Sequence, residues 1–131
     1  MKQPLVSIQV VVMNGEYYIR ECLKHIFSQS YQNIEVVVWD NNSTDDTKKI
    51  ICEEFPDAKL IESDKNYSMG GGQNRCLEHS KGEFVIFHSV DVLLDKDYIK
   101  ERLEEVIMPQ AEEWAAASEP RPNGRGSVEG K

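Results

Sequence analysis

Cysteine is scarce in this chain. Cys22, Cys52 and Cys76 are odd in number and show no C-x-x-C spacing, which argues against both a disulfide framework and a cysteine-based zinc site. Reduced, mostly buried thiols are the expectation. The three histidines, His25, His79 and His88, are equally scattered. No apolar run approaches the roughly 20 residues of a membrane span, and the N-terminus lacks the order of a signal peptide. A cytoplasmic location, free or peripheral to a membrane, is therefore expected. Basic residues are outnumbered, 15 against 23 acidic, for a net charge of -8, so the overall field repels a phosphate backbone and nucleic acid is not an expected partner. No G-x-x-x-x-G-K-[ST] sequence is present, which excludes a P-loop. A G-x-G-x-x-G fingerprint starting at Gly70 would need glycine where Arg75 stands.

The 131 residues, 40% hydrophobic and 29% charged, suit one soluble domain. Leu5 to Val12 is a nearly continuous apolar run broken only by Ser7 and Gln9, as in a strand covered on both faces. Tyr18, Ile19, Cys22, Leu23, Ile26 and Phe27 then recur at helical spacing. Ile34 to Trp39 reads as a buried strand, followed by the polar cluster Asp40 to Asp46. Asn42 or Ser43 is placed to cap a helix that buries Ile50, Ile51 and Phe55 and stops at Pro56. Ala58 to Ile61 is a short third strand. A loop, the glycine run Gly70 to Gly72 and a modest helix to Ser80 come next, closed by Lys81-Gly82. Glu83 to Phe87 is a fourth strand, and Asp95 caps a last helix with Ile99, Leu103, Val106 and Ile107 inward. This alternation predicts an α/β, Rossmann-like, mostly parallel sheet with right-handed crossovers and helices on both faces. Residues 1–108 would form the domain. Residues 109–131, rich in Ala, Glu, Pro, Gly, Arg and Ser, read as a disordered tail or cloning remnant.

In such a sheet ligands bind beyond the carboxyl ends of the strands, which selects Met13 to Tyr17, Asp40 to Asp46 and His88 to Val92, with Ser68 to Asn74 as a further wall. Asp40 sits at the end of an apolar strand, where its carboxylate can accept a hydrogen bond from a nucleobase imide N–H. An equal reading makes Asp40 the start of a turn that helps Asn41, Asn42 and Ser43 cap the next helix. Asp91 can hold Mg2+ or Mn2+ shared with a diphosphate, aided by the Ser89 hydroxyl or a bridging water, because phosphate oxygens and water complete the shell of a hard cation. A solvated loop acid is the competing reading. Gly70 to Gly72 permits close backbone approach and positive φ. Arg75 suits either a phosphate or a surface ion pair.

The segments Val6 to Glu16, Tyr18 to Leu23 and Gln29 to Asp45, with Asn66 to Arg75 and Gly82 to Leu94, resemble family 2 glycosyltransferases, most closely the rhamnosyltransferase-like branch, over roughly Leu5 to Ile107. The resemblance implies a GT-A fold and the nucleotide-sugar-binding half of an enzyme that moves a sugar from a nucleotide donor, a dTDP- or UDP-sugar, to a saccharide or lipid-linked acceptor hydroxyl, with inversion and a divalent cation. By position it implies base recognition at Asp40, metal and diphosphate at Asp91, and a nucleotide pocket lined by the Met13-Asn14 edge; Asn42, Gly70 and Arg75 are further candidates for the nucleotide and Ser89 for the metal. Val11, Val12 and Met13 replace a Pro-Thr-Tyr-like strand end, Ser68 a common loop glycine, and Ser89 the first member of the metal motif. The family's catalytic base lies downstream of these segments, so no residue is assigned that role. A catalytically inactive, truncated nucleotide-binding domain is the alternative expectation, and self-association through uncovered apolar sheet surface is expected with it.

Overall fold

The computed structural model describes residues 3–107. Residues 109–131, expected to form a tail, lie outside the described part. The chain divides into two compact units, Met1–Tyr98 and Ile99–Lys131. In the first unit four strands, β1 (Val6–Val12), β2 (Ile34–Asp40), β3 (Lys59–Glu62) and β4 (Phe84–His88), form a sheet in the order β3-β2-β1-β4. Every neighbouring pair is parallel. Helices α1 (Ile19–Phe27), α2 (Thr47–Glu54) and α3 (Ser68–Leu77) connect them. Of the second unit, the described stretch is the rest of α4 (Tyr98–Arg102) and a π-helical segment, Leu103–Ile107, in which Ile99 and Leu103 are buried.

All seven residues of β1 are buried, and because alternate side chains of a strand point to opposite faces, both faces of the sheet must be covered there. The chain steps from β1 to β2 to β3 in one direction and then returns past β1 to β4. Right-handed crossovers put α1 and α2 on one face and α3 on the other. α1 and α2 pack on each other, with Phe27 stacked on Phe55 and Arg20 paired with Glu54. On the opposite face Val11, Val37, Trp39 and Cys76 form a buried cluster beneath α3.

Ser7 and Gln9, polar residues in the middle of a buried strand, are explained by the α3–β4 turn. Gln9 Nε2 donates to Ser80 Oγ at 2.7 Å, and Ser7 Oγ donates to Glu35 at 2.5 Å while accepting from the Gly82 N–H at 2.8 Å. The Lys81 N–H also donates to Glu35. Gly82 approaches β1 so closely that a Cβ would lie 2.6 Å from the Ser7 nitrogen, so only glycine fits.

The glycine run differs from expectation. It lies inside α3 rather than in a loop, and the residue with positive φ is Ser68, at 69°, not a glycine. Gly72 is buried against the sheet, where a Cβ would meet Val11 Cγ1 at 2.8 Å and Trp39 Cδ1 at 3.1 Å. The close approach it permits is therefore between helix and sheet, and glycine's cost to helix propensity is accepted for packing.

Two stability predictions follow from this geometry. Gly72→Ala should overpack the α3–sheet contact and cost about 1–3 kcal/mol, read as a lower urea midpoint with an unchanged slope; an unaltered midpoint would mean that α3 is free to shift. Burial pushes the Glu35 carboxyl up, but the Ser7 hydroxyl, the Lys81 N–H, the Lys59 charge and the Gly82 N–H together hold it below its ordinary 4.5. Its stabilising contribution is thus complete above pH 4.5 and lost as pH falls below that value through the lowered folded-state pKa. Glu35→Gln should flatten the dependence of the urea midpoint on pH in this acidic window, and an identical acid profile for both proteins would contradict the assignment.

Candidate functional site

At the carboxyl edge of the sheet the β1–α1 loop and the β2–α2 loop are laced together. The Asn14 N–H donates to Ser43 Oγ at 2.8 Å, and Asn14 Oδ1 accepts from the backbone of Thr44 at 2.8 Å and of Asp45 at 3.2 Å. The Gly15 N–H donates to Thr47 Oγ1 at 2.9 Å, the Glu16 N–H to Asp45 at 3.2 Å, and the Asp46 N–H to Glu16 at 2.9 Å. Asn14 and Asn42 take positive φ, 52° and 68°, a conformation that asparagine tolerates better than most residues. Polar residues dominate these loops because the loop backbones need partners that no strand supplies.

Asp40 belongs to this lacing. It is wholly buried, and its two carboxyl oxygens accept from the Ser43 N–H at 2.8 Å and the Ser43 hydroxyl at 2.6 Å. Of the two roles open to it from sequence, the turn-closing one describes its contacts. Asn42, next but one along the chain, is exposed.

Beside this edge lies a slot of about 280 Å3 lined by Val11, Val12, Met13, Asn41, Asn66, Ser68, Met69 and Val90. Four chain segments meet there, the ends of β1 and β2, the start of α3, and the loop after β4. Met13, 48% exposed, and Met69, 55% exposed, offer flexible thioethers to an occupant. Asn66 Nδ2 lies 3.0 Å from Met13 Sδ, and Asn66 Oδ1 accepts from the Ser68 N–H at 2.7 Å. Asn41 is the hub. Its Oδ1 accepts from Trp39 Nε1 at 2.9 Å and the Tyr67 N–H at 3.1 Å, and its Nδ2 donates to the Ser68 carbonyl at 2.9 Å. These bonds hold Ser68 at its positive φ, where a glycine would sit without strain.

Val90, which also lines the slot, precedes Asp91, an exposed residue whose carboxylate accepts from Ser89 Oγ at 2.6 Å. His88, behind them, has its imidazole Nε2 2.6 Å from the Val92 carbonyl. Burial pushes its pKa down, against the Val92 contact and the charge of Asp91, so the ring is neutral near pH 7 and Nε2 is the nitrogen that carries the proton. Among the described residues no three His, Cys, Asp or Glu side chains gather as a metal cage. Asp91 therefore suits a cation only as one ligand of a shell completed by a ligand's oxygens and water.

Of the residues singled out from sequence, Met13 lines the slot, whereas Asn14 and Asp40 stand outside its lining in the laced loops. Gly70 faces open space. Arg75 lies outside the slot lining, with its guanidinium 3.6 Å from the centre of the Tyr67 ring and bonded to the Gly71 carbonyl at 3.2 Å. Asn41, Met69 and Val90 fall within the loop segments selected from sequence but without a role of their own, and Asn66 lies outside those segments; strand parity, which places Asn41 two residues beyond Trp39, was available as a signal. Burial also raises the Cys22 and Cys76 thiols to about 12, with nearby Asp91 and Glu35 charges adding to it, so neither is a nucleophile near neutral pH. Cys52 is exposed.

Comparison with known proteins places the chain in a family. Residues 7–112 match the model of glycosyl transferase family 2. The chain is 32% identical to the glycosyltransferase GlyA of Streptococcus pneumoniae over 110 residues, 82% of this chain and 16% of that protein. It is 36% identical over 89 residues, 66% of this chain and 35% of that protein, to the Escherichia coli UDP-Glc:alpha-D-GlcNAc-diphosphoundecaprenol beta-1,3-glucosyltransferase WfaP. Among solved structures, S. aureus TarS 1-349 in complex with UDP superposes with a TM-score of 0.73 at 30% identity, covering 79% of this chain and 32% of that one. The mannosyltransferase PcManGT from Pyrobaculum calidifontis, in complex with GDP-Man and Mn2+, gives 0.65 at 32% identity, covering 70% and 29%. The chain thus spans about a third or less of each of these proteins. No helix among the described residues is long and apolar enough to cross a membrane. On its fold, GT-A like that of its structural neighbours, and on a family match over most of its length, the chain belongs to glycosyl transferase family 2.

Proposed function

We propose that the slot at the carboxyl edge is the donor site of a glycosyltransferase, which takes the nucleoside of a nucleoside-diphosphate sugar and directs the diphosphate toward Asp91. The observation that carries this reading is the slot itself, whose lining includes Met13 and Asn41 from just beyond β1 and β2 and Val90, the residue before Asp91. Apolar side chains flank a planar base, while backbone and amide groups at the loops meet its polar edge. UDP bound to TarS and GDP-Man with Mn2+ bound to PcManGT, both sharing this fold, support the ligand class.

In this reading Asp40 acts through the turn it closes, and Asn14 and Asn42 form the loop rim. Asp91, with Ser89 orienting its carboxylate, would hold Mg2+ or Mn2+ together with the donor diphosphate, and the cation would supply positive charge to the departing diphosphate. Gly70 leaves open space that a diphosphate or sugar could enter, and Arg75 steadies the Tyr67 ring. The acceptor hydroxyl, on a saccharide or lipid-linked sugar as in the name of WfaP, displaces the diphosphate with inversion, assisted by a base outside the residues described. The rhamnosyltransferase-like resemblance of Asn66 to Arg75 belongs to the same reading.

Calorimetry with UDP, dTDP, CDP and GDP, with and without Mn2+, tests it. At least one nucleotide should bind with millimolar affinity or better. Mn2+ should tighten binding at least several-fold in the unsubstituted chain and leave it unchanged in Asp91→Ala. No binding by any of the four would remove the donor-site reading, and an undiminished Mn2+ effect in Asp91→Ala would remove the metal assignment.

A further inference from the structure

Two of the apolar side chains that line the slot are thioethers, and they are the two that solvent reaches most freely. Val11 and Val12 are buried and Val90 is half-buried, whereas Met13 is 48% and Met69 55% exposed. Asn66 ties the pair together. Its Nδ2 donates to Met13 Sδ at 3.0 Å, and its Oδ1 accepts from the N–H of Ser68, the residue before Met69, at 2.7 Å. The Ser68 carbonyl is held in turn by Asn41 at 2.9 Å. One methionine is thus fixed at its sulfur and the other through the backbone that precedes it.

A thioether sulfur is a nucleophile without losing a proton, so exposure alone governs its reaction with a peroxide. In contrast, the buried thiols of Cys22 and Cys76, raised to about 12, stay protonated and inert near neutral pH. The sulfur attacks one oxygen of the peroxide, the O–O bond breaks and an S–O bond forms. Sulfur is oxidised by two electrons, and the other peroxide oxygen leaves as water or an alcohol after taking up the proton. The flexible apolar side chain becomes a polar sulfoxide. In the slot wall this places a strong dipole among Val11, Val12 and Val90, where a base would otherwise meet apolar surface, and burying that dipole under a ligand without a partner is costly.

We propose that Met13 and Met69 form a reversible oxidation site, at which a peroxide converts the two thioethers to sulfoxides and so weakens binding in the slot. The oxidation itself follows from exposure and sulfur chemistry. Its consequence for binding rests on the donor-site reading. Met69 reacts first, because no polar group among the described residues engages its sulfur, whereas one lone pair of Met13 Sδ already accepts from Asn66. Reduction of the sulfoxides by methionine sulfoxide reductases, one for each epimer, restores the slot.

The full chain is treated with dilute hydrogen peroxide in a Cys52→Ser background, which removes the exposed thiol, and is followed by peptide mass mapping and by calorimetry with whichever of UDP, dTDP, CDP and GDP binds best in Mn2+. Met69 should gain one oxygen at a rate within about threefold of free methionine, and Met13 more slowly. Affinity should fall about tenfold or more as both are oxidised, and return after treatment with the two reductases. In Met13→Leu/Met69→Leu, peroxide should change affinity less than about twofold from that variant's own untreated value. Failure of either methionine to take up oxygen would overturn the site. Unchanged affinity with both oxidised, or a loss that persists in the double variant, would overturn the effect on binding and leave the donor site intact. No binding of any nucleotide by the untreated chain would overturn the donor-site reading and the effect together, while the mass map still decides the oxidation.

Discussion

The lacing of residues 13–17 to residues 40–47 is the constraint on which the rest of the site depends. Two loops at the ends of adjacent parallel strands exchange backbone and side-chain hydrogen bonds, and a buried carboxyl group, Asp40, anchors the turn between them through Ser43. Loops at a sheet edge have no ladder to satisfy their backbone groups, and each group left unpaired and buried would cost about 1–3 kcal/mol. Asn14, Ser43, Asp45 and Thr47 meet that need locally. The result is a rigid floor on a rigid sheet, against which a ligand can be bound with little ordering cost.

A second clamp rises from that floor. Asn41 spans β2, Tyr67 and Ser68, and so fixes the start of α3 to the sheet at the mouth of the slot. Gly72, one turn further on, lets the helix lie close enough for this clamp to close. At the far end of α3 a third set of contacts, Gln9 with Ser80 and Ser7 with Glu35 and Gly82, pins the turn into β4. Packing and polar contacts thus work together on one face. The same bonds that hold α3 also fix the orientation of the Asn41 amide beside the slot.

Much of the fold was legible in the sequence because each element carried its own period. The apolar runs at 5–12 and 34–39 and the three- and four-residue stripe of α1 are local signals, and these elements appear within one residue of where the signals place them, whereas α2 starts at Thr47 behind Asp46 rather than behind Asn42 or Ser43, and α3 ends at Leu77 rather than at Ser80. The glycine run was less legible. Three consecutive glycines signal a loop when propensity alone is weighed, whereas the pressure of Val11 and Trp39 against Gly72 is a contact across 61 and 33 residues of chain, respectively, that no local window contains.

The candidate site was legible as a region but not residue by residue. By itself the sequence determined that polar loops would gather at the carboxyl ends of parallel strands and that Asp40, Asn41, Asp91 and Met13 would be among them, because strand order and strand ends follow from hydrophobic period. Only the tertiary structure decided that Asp40 turns inward to Ser43, that Asn41 faces the slot with its oxygen already engaged, and that Arg75 stacks on Tyr67 away from it. Those outcomes depend on which donors arrive from elsewhere in the chain, the Trp39 indole and the Tyr67 and Ser68 backbone, and a hydrogen bond between distant segments exists only once the fold has brought both partners to the same place.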